Sequence, residues 1–177
     1  SWSHPLGTDD VGRDMLTRLA VGARYSLVMG VLAIGLAMLF GVPIGLVAGY
    51  RSGWWDSIGM RGVDVLMVVP TFVLAVAIVS VLGSGIWSVI IAVAVTTIPL
   101  FARLTRAVSL TLREQDFVSA AQVAGASQSR ILARHILPNS LPPLIVQASL
   151  GIGSTILIAA ALGFLGLGVQ PPTPEWG

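Results

Sequence analysis

The chain has 177 residues, of which 55% are hydrophobic and 10% charged, with a net charge of +2 and a mean hydropathy of +0.88. Soluble domains carry roughly 25% charged residues, so the polar surface of a water-soluble globule is missing and the chain reads as an integral membrane protein. All ten basic residues are arginine and there is no cysteine, which excludes a P-loop, lysine Schiff-base chemistry, disulfides, iron–sulfur clusters and thiolate zinc sites.

With only His4 and His135 as imidazoles, neither an enzyme nor a bound metal or cofactor is expected. The basic balance does not point to nucleic acid, because arginines flanking membrane spans also make a chain basic and no basic patch with interleaved aromatics is present.

Residues 1–24 are polar and mixed in charge, without an arginine-led signal sequence. Within them Val11 to Ala23 is predicted to form a short amphipathic helix on the membrane surface, with Leu16, Leu19 and Ala20 as its apolar side. Residues 25–177 form the membrane domain. Its first span, Ser26 to Tyr50, holds no charge; at about 1.5 Å per residue it covers about 37 Å, enough for a ~30 Å hydrocarbon core with tilt. A second span is expected at about 63–82, a third at 86–102 and a fourth at 141–165. Pro43, Pro70 and Pro99 fall inside spans, where neighbouring helices can satisfy the freed carbonyls, and are expected as kinks. The predicted fold is therefore an all-α, multi-span transmembrane bundle.

Arginine counts orient it. Arg51, Arg61, Arg103, Arg106, Arg113, Arg130 and Arg134 fall on the face carrying residues 51–62 and 103–140, against Arg13, Arg18 and Arg24 opposite. The positive-inside rule puts the first face in the cytoplasm. Asp64 is expected to pair with Arg61, three residues before it.

Two ridges of small residues run along the spans. Ala33, Ala37, Gly41, Gly45 and Gly49 recur every four residues, as do Gly151, Thr155, Ala159 and Gly163. Residues four apart share a helix face, and close backbone approach supplies the contact that apolarity alone cannot give in lipid. The polar residues Thr96, Thr97, Gln147, Ser149, Ser154 and Thr155 either line a pathway or bond across helices. No span carries a charge near its middle, which disfavours a proton-coupled transporter or a voltage sensor.

The segment 103–140 reads as a cytoplasmic insert of two short helices. Phe117, Ala120, Ala121 and Ala124 share one helical face, Gly125 supplies a stop, and Ser127 can cap a second helix. Ile131, Leu132, Ile136 and Leu137 form that helix's apolar side, and Pro138 and Asn139 are expected to end it. The product is a knob with an alanine-smooth surface; a linker lying on the membrane is the plainer reading.

Here the sequence resembles the inner-membrane permease subunits of binding-protein-dependent ABC importers. Their cytoplasmic signature is Glu-Ala-Ala, three residues, Gly, nine residues, Ile, one residue, Leu-Pro. Ala120, Ala121, Gly125, Leu137 and Pro138 match it in register, whereas Ser119 stands for the Glu and His135 for the Ile. Blocks 4–27, 53–70, 134–139 and 163–177 look like the peptide/nickel branch, second permease type, so the likeness covers nearly the whole chain.

The resemblance implies a permease for di- or oligopeptides in the bacterial inner membrane, paired with a homologous permease and served by two ATP-binding subunits and an extracytoplasmic substrate-binding protein. It implies a coupling helix at Phe117, Ser119, Ala120, Ala121, Gly125, Ala126, Ser127, Arg130, Leu137 and Pro138. It also implies a further span on either side of this segment. Nickel, glutathione or another small solute is the alternative cargo, and a stand-alone channel or membrane scaffold the alternative class.

Overall fold

The structure, a computed structural model, describes residues 6–8, 12–168 and 176. His4, Val11 and most of the stretch beyond Gly168 lie outside the described residues.

Helix α1 (Met15–Arg51) opens on Asp14, whose carboxylate accepts from the Thr17 amide at 2.9 Å and the Thr17 hydroxyl at 2.5 Å. Such a cap satisfies donors that the first turn leaves free. No helix breaker follows, so the expected surface helix does not exist as a separate element. Its residues Leu16, Leu19 and Ala20 are the first turns of the same rod that crosses the membrane. Ser52, with φ 54, ends it.

The second span corrects the sequence reading most. Helix α2 (Gly53–Val68) begins inside the expected loop, and α3 (Thr71–Leu82) follows at an angle of 87°. The cause is Pro70. A residue before proline is driven out of the helical region, and Val69 sits at φ −90, ψ 131. Helix α4 (Ile86–Arg113) passes through Pro99 and runs eleven residues beyond Ala102, the end expected for the span.

Beyond α4 lie α5 (Asp116–Val123), α6 (Gln128–Ile131), a π-helical turn (Leu132–Ile136) and α7 (Leu137–Phe164). The last three continue as one helix, Gln128–Phe164, so Pro138 and Asn139 do not terminate it. The wide turn lets the Leu137 amide donate to the Leu132 carbonyl. The side chains of Asn139 and Ser140 donate to the carbonyls of His135 and Ile136 at 2.6 and 2.8 Å. A π adjustment with side-chain donors is a known way for a helix to carry proline onward.

Among the described residues three helices are long and apolar enough to cross a membrane, and the bent α2–α3 pair counts as a fourth if taken as one span. Helices α1 and α4 run parallel: Gly41 faces Ile98 and Phe101, Gly45 faces Ala102 and Thr105, Gly49 faces Arg106 and Ser109. Parallel neighbours need a return pass between them, and α2–α3 is that pass. Residues 51–62 and the α5–α6 region therefore share one face.

At Gly41 an added Cβ would lie 2.7 Å from the Ile98 carbonyl, at Gly49 2.6 Å from that of Arg106, and at Gly45 it would overlap the Ala102 carbonyl. With Ala33 and Ala37, also fully buried, the ridge faces protein rather than lipid. On α7, Gly151 packs on Ile34, Ala159 is buried, and Gly163 meets the returning chain at Gly168. The Trp176 indole donates to the Leu19 carbonyl at 3.0 Å.

Polar side chains in the spans mostly bond to their own helices rather than across to others. Thr96 and Thr97 donate to the Val93 carbonyl, Ser149 to Ile145, and Ser154 and Thr155 to Gly151. Ser109 is different: it reaches the Leu46 carbonyl across the α1–α4 seam at 3.2 Å.

Candidate coupling site

The knob is built by a tight helix stop. Gly125 adopts φ 79, its amide donates to the Gln122 carbonyl at 2.9 Å, and the Ala126 amide donates to the Ala121 carbonyl at 3.0 Å. This paired bonding satisfies the last carbonyls of α5 and demands a left-handed residue, which glycine adopts without a Cβ penalty. Nothing lies within 4 Å of where a Gly125 side chain would begin, so backbone conformation, not crowding, selects glycine. Ser127 occupies the N-cap position of α6 but makes no side-chain cap bond; its hydroxyl lies 3.3 Å from that of Ser129.

The inner face of the knob is welded to the bundle. Val118, Ile131 and Ile136 are fully buried in one apolar cluster with Ala37, Leu46, Phe101 and Leu144. Each such side chain contributes roughly 1.5–3 kcal/mol on burial. Ala121, Ala126 and Leu137 pack against the same cluster. They are half-buried, so part of each supports the knob from within.

The outer face presents Phe117, Ser119, Ala120, Gly125, Ser127, Arg130 and Pro138, all exposed. Val123, 90% exposed, is the most open apolar side chain of the knob, and sequence reasoning missed it. The signal was available: Val123 lies three residues after Ala120, beside it on the helix surface. The Phe117 ring sits 6.4 Å from the imidazole of His135, so an apolar neighbour flanks the position where the family motif has Ile.

Polar ties brace the base. Arg113 donates to the Gly49 carbonyl at 3.2 Å and also to the Ser52 hydroxyl and Glu114, joining the ends of α1 and α4. Gln122 donates to the Tyr50 hydroxyl at 3.3 Å. Arg106 grips Asp56 with two bonds of 2.6 Å, fixing α2 to α4; planar two-point pairing is the strong form of this contact. Asp64 pairs with Arg103 at 2.6 Å, not with Arg61 as expected, because α2 lies alongside α4 and brings the two together. Beside the knob a polar groove of about 660 Å³ is lined by Arg51, Trp55, Arg113, Ser119, Gln122 and Gln128 among others. Ser119 thus opens onto two arginines at the position where the motif has Glu.

The family described as "Binding-protein-dependent transport system inner membrane component" matches residues 41–177. The chain belongs to this family. Among curated relatives, the dipeptide transport system permease protein DppC of Alkalihalophilus pseudofirmus is 50% identical over 177 residues, covering 100% of this chain and 58% of the relative. The di/tripeptide permease DppC of Pseudomonas aeruginosa is 48% identical over 172 residues, 97% of this chain and 57% of the relative. A glutathione transport system permease protein, GsiD, of Escherichia coli is 51% identical over 177 residues, 100% of this chain and 58% of that protein. The chain thus spans less than two thirds of the length of these permeases. A structure of the MetNI methionine ABC transporter in an inward-facing conformation matches with a TM-score of 0.76 at 20% identity, covering 88% of this chain and 77% of that one. It shares the fold. As a family member the chain is an inner-membrane component with the all-α architecture of a type I importer permease.

Proposed function

We propose that this chain is the translocation unit of an ATP-driven importer of short peptides, with its arginine-rich face in the cytoplasm. Its knob seats in a cleft of an ATP-binding subunit. A homologous permease completes the pathway, a second ATP-binding subunit serves that permease, and an extracytoplasmic binding protein delivers the cargo. Hydrolysis belongs to the partners, since a chain without lysine cannot build a P-loop. The relatives' named cargoes, dipeptide, di/tripeptide and glutathione, are all short peptides in the chemical sense. They favour that class over nickel.

The observation that carries this reading is the shared core. Val118 and Ile131 of the knob are buried with Leu46 and Phe101 of the spans, so a push on the outer face displaces spans rather than bending a linker. A stand-alone channel has no use for such a lever.

The test is at Gly125. Gly125→Arg places a bulky residue in a left-handed conformation that costs an L-residue about 1–2 kcal/mol, and it obstructs the docking surface. Membrane insertion is expected to persist while ATP-driven peptide uptake and ATPase-subunit docking are lost. Gly125→Asn, whose short polar side chain tolerates that conformation, is expected to keep most of the uptake. Wild-type uptake by Gly125→Arg overturns the reading.

A further inference from the structure

A second cavity, of about 490 Å³, lies away from the knob at the bend between α2 and α3, lined among others by Val69, Pro70, Thr96, Thr97, Ser154 and Arg103. Non-helical backbone at membrane depth is tolerated only where protein buries it or water reaches it. Val69 and Pro70 are exposed and border this cavity, so this chain itself leaves the bend open on that side. Pro99 also lines it, and a proline leaves the carbonyl one turn back, that of Val95, without its helical donor. Thr71 also lines it, and the remaining walls are apolar, from Leu66, Leu74, Leu100 and Ile158 among others. An apolar cleft with few convergent polar groups is the usual form of a small-molecule site.

Arg103 lines this cavity and also a neighbouring one of about 390 Å³, which it shares with Met60, Asp64 and Arg106. It therefore stands where the two meet. Its bond to Asp64 uses one nitrogen and one oxygen, and the side chains are 50% and 56% exposed. The Asp56–Arg106 pair nearby differs in both respects, with two bonds and side chains 21% and 34% exposed. Exposed single-contact pairs contribute little to stability, so Asp64 and Arg103 can part at small cost.

We infer that Asp64 and Arg103 form a station for the two charged ends of a short peptide passing through the cleft. The guanidinium fork of Arg103 takes the terminal carboxylate with paired bonds, Asp64 takes the terminal ammonium, and the apolar wall accepts the side chains. Opposite charges side by side fit a zwitterion and suit neither a simple anion nor a bare cation. This rests on the short-peptide reading above and adds the residues that recognise the cargo inside the membrane domain.

The experiment uses the assembled importer complex without its binding protein. These 177 residues hold no cysteine, so Thr97→Cys places a reporter in the cleft, read by mass spectrometry of the peptide that carries it after reaction with a hydrophilic maleimide. A free dipeptide is expected to slow the reaction severalfold, and the C-amidated and N-acetylated forms to slow it far less. In Arg103→Gln the free and amidated peptides should protect equally. In Asp64→Asn the free and acetylated peptides should protect equally while the carboxylate preference survives. An unreactive cysteine, absence of protection by any peptide, or an equal loss for all three peptides in both variants overturns the station; the last is the signature of a purely structural ion pair. Loss of ATP-driven import by the wild-type complex would instead remove the importer reading, whereas intact import without charge discrimination removes the station alone.

Discussion

Glycine does two different jobs in this chain, and a single substitution tells them apart. At Gly45 the α4 backbone occupies the space a side chain would need, with Thr105 and Arg106 as close neighbours. Gly45→Ala forces the seam apart and is expected to destabilise the protein by about 1–3 kcal/mol, read as a lower thermal midpoint in detergent. Gly35, with nothing within 4 Å, lies on the same helix. Gly35→Ala is expected to be neutral or to stabilise by roughly 0.5–1 kcal/mol, the entropic advantage of alanine in a helix. The four-residue recurrence of Gly41, Gly45 and Gly49 was legible in the sequence, since it needs only the helical period. Their partners were not: nothing local tells a ridge which helix it meets. Likewise the acidic partner of Arg106 is fifty residues away, whereas sequence proximity suggested only Arg61 for Asp64.

The knob is one mechanical element with two faces, and its buried face can be weakened without touching its surface. Ile136→Ala removes a fully buried side chain that joins the π-helical turn to the bundle. Cavity formation of this kind costs about 2–5 kcal/mol. The expected result is a complex in which ATP-binding subunits still co-purify but peptide import per ATP hydrolysed falls. Unchanged coupling would show that the force does not travel through this core. The helix stop at Gly125 was readable because left-handed caps have a residue signature. The continuation through Pro138 was not, because proline reads as a terminator and the compensating π turn has no such signature. Pro70 shows the opposite error. It was expected to kink a span and instead divides it, with Val69 forced into an extended conformation.

For the whole molecule, the parallel course of α1 and α4 fixes which loops share a face, and the arginine count predicts that this face is the cytoplasmic one. A cysteine replacing Ser127, at the knob, is expected to resist a membrane-impermeant thiol reagent in intact cells. One replacing Ser84, exposed between α3 and α4, is expected to react. The reverse pattern would invert the topology. The apolar lengths that mark the spans survive in any reading of the composition, which is why the bundle was foreseeable. The broken return pass follows from Pro70 and the fusion of the knob to the last span from a π turn with side-chain donors, neither of which composition reveals.

The most direct test of the lever is at Val123, the open tip of the knob. Val123→Arg should insert and pair as the native chain does, because the residue touches no part of the core. In the reconstituted importer, ATP-driven peptide import is expected to fall to the level seen without ATP, with the ATP-binding subunits no longer retained. Full import with the subunits still bound would contradict the account.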